Sequence, residues 1–137
     1  MSEDFTVTVG TGTLQPGAED ALVLPHRWTP DGMRATAAPT GAHLLHLAVA
    51  GCVLNDVHRE AATRGLPLNG VEVVAGGGFA PGSWASTGIT YAVRLDTPAT
   101  EHEVDLLLAV VDEVAEIPRA VRQGAEVSRA TPSAHPG

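Results

Sequence analysis

A chain of 137 residues and 14.1 kDa, 44% of it hydrophobic, supports one core and leaves no room for two ordinary domains. Sixteen acidic residues against eight basic ones give a formal charge of −8, which repels phosphate backbones and argues against a nucleic-acid partner. The basic residues are all arginine, so no lysine is present for a Schiff base or a P-loop, and Gly76-Gly77-Gly78 is not a Walker motif.

The first 25 residues read as strands. Phe5, Val7 and Val9 alternate with Thr6 and Thr8. Gly10 and Gly12 permit a turn, and Ala21 to Leu24 is a short apolar run. Thr29-Pro30-Asp31-Gly32 carries turn chemistry, and residues 35–41, with Pro39, read as its continuation in a loop.

From Ala42 to Arg64 the pattern is helical. Leu44 to Leu54 is apolar on nearly every side, as in a buried helix, and the second half turns polar. Thr40 is placed to cap the start and Gly65 the end. So apolar a helix in a short chain argues for a second subunit over it. Two strands follow, Gly70 to Ala75 and Gly88 to Leu95, joined by a long loop over 76–87. Thr100 to Glu116 is a second helix, with Thr100 and Glu103 spaced as a capping box. Pro118 is expected to break the chain before a short helix from Arg119 to Gln123. Ala125 to Arg129 reads as a last strand, and Ala130 to Gly137 as a disordered tail. Three strands, a long helix, two strands, two helices and a strand make an α+β fold over residues 1–129.

Met1-Ser2-Glu3-Asp4 lacks the basic and apolar stretches of a signal peptide, and the apolar run over Leu44–Leu54 is too short to cross a bilayer. A cytoplasmic protein with no membrane partner is therefore expected. A single cysteine, Cys52, excludes an internal disulfide and a multi-cysteine metal site.

The segment Gly51-Cys52-Val53-Leu54-Asn55-Asp56-Val57, continuing to Arg64-Gly65 and Val71-Glu72-Val73, resembles the OsmC/Ohr family. So does Arg119-Ala120-Val121-Arg122-Gln123-Gly124-Ala125-Glu126-Val127. The resemblance covers about residues 5–129. It implies an intertwined homodimer in which two long central helices are wrapped by antiparallel sheets, with the active site at the dimer interface. It also implies reduction of organic hydroperoxides by a cysteine pair. Cys52 stands at the position of the reactive thiol. The position of the resolving cysteine falls at Ala115, and the family's glutamate about ten residues before the reactive cysteine is replaced at Ala42. The arginine that the family holds against its thiolate comes from the N-terminal region, where Arg27 and Arg34 are the candidates.

Each candidate has two readings. Cys52 is a nucleophile, or a small apolar residue kept from an active ancestor. As a nucleophile it has no internal resolving thiol, so its sulfenic acid needs an external thiol reductant or is overoxidised. His43 and His46, one helical turn apart, are near enough to share a ligand; His43 is an acid or base for new chemistry or a helix-entry histidine hydrogen-bonded to backbone, and His46 among leucines finds a partner or stays neutral. Two histidines alone do not make a zinc site, and no metal or cofactor is expected. Asp56 and Arg59 share the Cys52 face and read as an ion pair at the helix's exposed end; an anionic Asp56 there opposes a thiolate. His26, Arg27 and Trp28 line a pocket for a hydrophobic ligand, or end a strand with Trp28 packed on the core. Trp84 in the long loop marks a binding surface or covers an edge.

The resemblance makes thiol-dependent hydroperoxide reduction through Cys52 the default reading. The alternatives are non-redox acid–base chemistry on a small hydrophobic molecule in the interface pocket, using His43, His46 or His26, and a non-catalytic small-molecule binder.

Overall fold

Alternation of apolar residues decides which face of the sheet is covered. Val7, Val9 and Thr11 of β1 (Val7–Gly12) are buried on one face, as are Val71, Val73 and Ala75 of β4 (Gly70–Phe79). In this computed structural model, which describes residues 4–17, 21–36 and 39–132, these two strands pair antiparallel at the centre of a five-stranded sheet. β2 (Leu22–Leu24), β3 (Met33–Thr36) and β5 (Ser86–Asp96) complete it in the order β2-β3-β1-β4-β5. Every neighbouring pair is antiparallel.

The covering element is α1 (Gly41–Arg64), which packs on β1 and β4 and carries α2 (Glu101–Val114) and α3 (Glu116–Gln123) against its other side. Both expected caps of α1 form. The Thr40 hydroxyl accepts from the His43 backbone N–H, and Gly65 closes the helix at a left-handed φ of 66°. The capping box of α2 is complete, with Thr100 and Glu103 satisfying each other's backbone N–H. The core between sheet and helices contains Val9, Val53, Leu54, Val57, Val73, Leu107 and Val111.

Several expected boundaries are corrected. Ala35 and Thr36 belong to β3 rather than to a loop, because Ala35 pairs with both Val9 and Leu22 and its methyl is buried. Residues 37–38 of the expected loop lie outside the described residues. The loop expected over 76–87 shrinks to 80–85, since backbone pairing carries the glycines into β4 as far as Phe79 and draws Ser86 and Thr87 into β5. The chain breaks at Ala115 rather than at Pro118. Pro118 sits in the first turn of α3, where its missing N–H removes no helical bond. Residues 125–129 form no strand; Val127 is exposed, and one large apolar side chain does not anchor a strand to a sheet. Of the expected tail, residues 130–132 lie in neither helix nor strand, and 133–137 fall outside the described residues, as do Met1 to Glu3.

Gly12 ends β1 at φ 60°, and a Cβ there would lie 2.0 Å from the Asn69 carbonyl oxygen. The left-handed backbone costs a non-glycine residue about 1–2 kcal/mol, and relieving the overlap costs about 1–3 more. Gly12→Ala is therefore expected to destabilise the fold by about 2–5 kcal/mol, read as a lower urea midpoint at unchanged slope.

Candidate functional site

Helix α1 presents Leu44, Leu47, Ala48, Gly51, Cys52, Asn55, Asp56 and Arg59 along one stripe at three- and four-residue spacing. The stripe forms one wall of a cavity of about 610 Å³. Trp28, Met33 of β3, and Glu116 and Ile117 of α3 line the rest of it, and it is open to solvent. The half-buried Cys52 borders this cavity. Leu44, at 48% exposure, and Ile117 leave apolar surface at its edge.

The polar end of the cavity differs from the sequence expectation. Asp56 does pair with Arg59, at 3.2 Å, but not at an exposed end: Asp56 is only 4% exposed. Its Oδ1 takes the guanidinium, while Oδ2 is buried without a hydrogen-bond partner among the described residues. Burial pushes the Asp56 carboxyl above the usual range. Arg59 opposes that shift, and Glu116 and Glu60 add to it. Among the described residues Arg59 is the only arginine lining this cavity. Arg27 is exposed and lies over the Trp28 ring, 5.6 Å from its centre, and Arg34 points outward from β3. Ala115 is fully buried in the core, and the neighbouring Glu116 reaches the cavity.

The histidines lie elsewhere. His43 and Cys52 are nine residues apart, which is about half a turn around a helix. The Thr40 hydroxyl is 2.6 Å from His43 Nδ1, and the Phe5 ring meets the imidazole edge-on. His46 is fully buried beside Phe5 and Phe79. Its Nδ1–H donates to the Ala42 carbonyl at 2.7 Å, and Nε2 has no partner among the described residues. Trp84 sits in the β4–β5 turn with φ 58° and 72% exposure, away from the cavity lining.

A histidine pair that the sequence did not bring together joins the loop after β2 to α1. His26 Nε2–H donates to Asn55 Oδ1 at 3.0 Å, and its Nδ1 lies 2.7 Å from the Thr29 hydroxyl. His58 is hydrogen-bonded to the Thr11 hydroxyl at 2.8 Å, and the two imidazoles meet edge to face at 5.0 Å. No spacing signals this contact, because His26 and His58 are joined only by the fold. Burial pushes both rings down, and burial together with facing His26 takes His58 to about 4. The folded state thus holds His58 neutral while the unfolded chain binds a proton near 6.5. More protons bound on unfolding means that stability falls with acidification between those two values and levels off below the lower one. Discounted for the ring's partial exposure, the loss is about 1–2 kcal/mol. His58→Asn is expected to lose less stability than the parent between neutral pH and pH 4, measured by urea unfolding of both proteins.

Among the described residues no three His, Cys, Asp or Glu side chains gather to hold a metal ion, and no helix is long and apolar enough to cross a membrane.

An antiparallel sheet backed by one long helix, with a cysteine of that helix bordering a cavity, defines an α+β protein of a particular type. Residues 32–129 match the family described as OsmC-like protein, and the chain belongs to that family. Two solved structures share the fold. One is an OsmC-like hydroperoxide resistance protein from Jannaschia sp. CCS1, with 12% identity, a TM-score of 0.58, and coverage of 96% of this chain and 95% of that one. The other is an OsmC-like protein from Mycoplasma pneumoniae, with 15% identity, a TM-score of 0.56, and coverage of 77% and 86%. No curated protein matches the sequence.

Proposed function

We infer that this protein reduces organic hydroperoxides through Cys52, with an external dithiol as reductant. The observation that carries this reading is the placement of Cys52 on a cavity whose walls are mostly apolar, a setting that suits an alkyl or aryl hydroperoxide. Family membership and the hydroperoxide resistance protein among its structural neighbours support it. The Cys52 thiolate attacks the terminal peroxide oxygen, the O–O bond breaks, and an alcohol leaves. One thiol of the reductant then attacks the sulfenic sulfur and releases water. The second thiol displaces Cys52 and leaves the reductant as a disulfide. The external thiol is required because the chain has no second cysteine to resolve the sulfenic acid. A second copy of the chain covers the cavity edge at Leu44 and Ile117, making a homodimer.

The test mixes the protein with cumene hydroperoxide and dihydrolipoamide and follows peroxide loss, with sedimentation of the same sample to give the number of chains. Catalytic turnover by a dimer is expected. Peroxide loss no faster than with dihydrolipoamide alone would reject the reaction.

Non-redox chemistry on a small hydrophobic molecule is the second reading, and buried Asp56 at the same cavity favours it. There the proton-handling group is Asp56 rather than His26, His43 or His46, which do not line the cavity.

A further inference from the structure

Asp56 is a residue that peroxide reduction by a lone thiol leaves without a task. It lies one helical turn beyond Cys52 on the same wall of the cavity, and positions four apart on a helix hold their Cβ atoms about 5–6 Å from each other. That separation accommodates the two oxygens of a hydroperoxide between sulfur and carboxyl. The carboxyl is almost wholly buried, with one oxygen on Arg59 and the other unpartnered. An unpartnered carboxyl oxygen is costly to bury, and a ligand that hydrogen-bonds to it removes the cost.

We propose that Asp56 is the proton donor to the leaving oxygen of the hydroperoxide. This rests on the reading of Cys52 as the peroxide-reducing thiol. As the Cys52 thiolate takes the terminal oxygen, the S–O bond forms and the O–O bond breaks. The electron pair moves onto the alkoxide, and the Asp56 carboxyl proton passes to it, giving the alcohol, the Cys52 sulfenic acid and an Asp56 carboxylate. Solvent reprotonates the carboxylate. The charged groups around Asp56 decide whether it holds that proton. Arg59 on α1 favours its loss, whereas Glu60 on α1 and Glu116 on α3, together with burial, favour its retention. A protonated Asp56 also presents no negative charge to the neighbouring thiolate.

A proton donor matters in proportion to the basicity of the leaving group. An alkoxide needs the proton, whereas the acetate released from a peracid does not. The experiment measures single-turnover oxidation of Cys52, by mass spectrometry of quenched samples, for wild type and Asp56→Asn. The oxidants are tert-butyl hydroperoxide and peracetic acid. The expected result is a loss of about 100-fold with the alkyl hydroperoxide and a change of less than about threefold with the peracid. The near-normal peracid rate also shows that Cys52 is reachable, and a urea midpoint close to that of the parent shows that the variant is folded. Asp56→Ala, measured the same way, is expected to give the same split. Equal losses with both oxidants, or a loss with neither, would overturn the role of Asp56 while leaving Cys52 as the peroxide-reducing thiol. No oxidation of wild-type Cys52 by either compound would overturn both.

Discussion

Cys52→Ser is expected to abolish dithiol-dependent consumption of cumene hydroperoxide, by at least about 10³-fold, or ~4 kcal/mol of transition-state stabilisation. Serine keeps the size and the place on α1, but its hydroxyl is not ionised at neutral pH and its oxygen cannot form a sulfenic acid. A second thiol cannot take over, because the sequence contains only one. The substitution is expected to leave the urea midpoint close to that of the parent, since Cys52 is only half-buried at the rim of the core and borders the cavity. Peroxide turnover that survives it would end the redox reading. An activity on a non-peroxide substrate that survives it would favour chemistry centred on Asp56.

Leu54→Ala is expected to have the largest effect on folding, about 3–5 kcal/mol. Leu54 is among the largest fully buried side chains and lies on α1 in the core shared with the sheet and α2. Its truncation removes apolar surface from the interior and leaves a hole that neighbouring valines do not fill, because β-branched side chains have few rotamers with which to adapt. A domain of this size has a total stability of about 5–15 kcal/mol, so the variant is left close to unfolding at moderate temperature. Urea midpoints at one fixed protein concentration check this, with Val127→Ala, at an exposed position, expected to change by less than about 0.5 kcal/mol. A Leu54→Ala midpoint equal to that of the parent would show that α1 does not seal the core.

The amino-acid sequence by itself determined the features that depend on neighbours along the chain. Thr40 and Gly65 bound α1, and Thr100 with Glu103 starts α2, because capping acts within one turn of backbone. The alternation through Val71, Val73 and Tyr91, Val93 marked two strands for the same reason. Residues 51–57, with the matching segment at 119–127, pointed to the family, whose match covers residues 32–129.

What only the tertiary structure decided are the contacts between distant segments. Strand pairing carried the glycines after Ala75 into the sheet and took Ala35 out of a loop, since a ladder is fixed by its partner strand. Sequence could put Asp56 and Arg59 on the Cys52 face of a helix, but not say that Glu116 and Ile117 would line the same cavity or that the Asp56 carboxyl would be buried. Nor could it separate His43 and His46 from the cavity or bring His26 against His58. Burial and through-space contact set the chemistry of these groups, and both are properties of the packed chain.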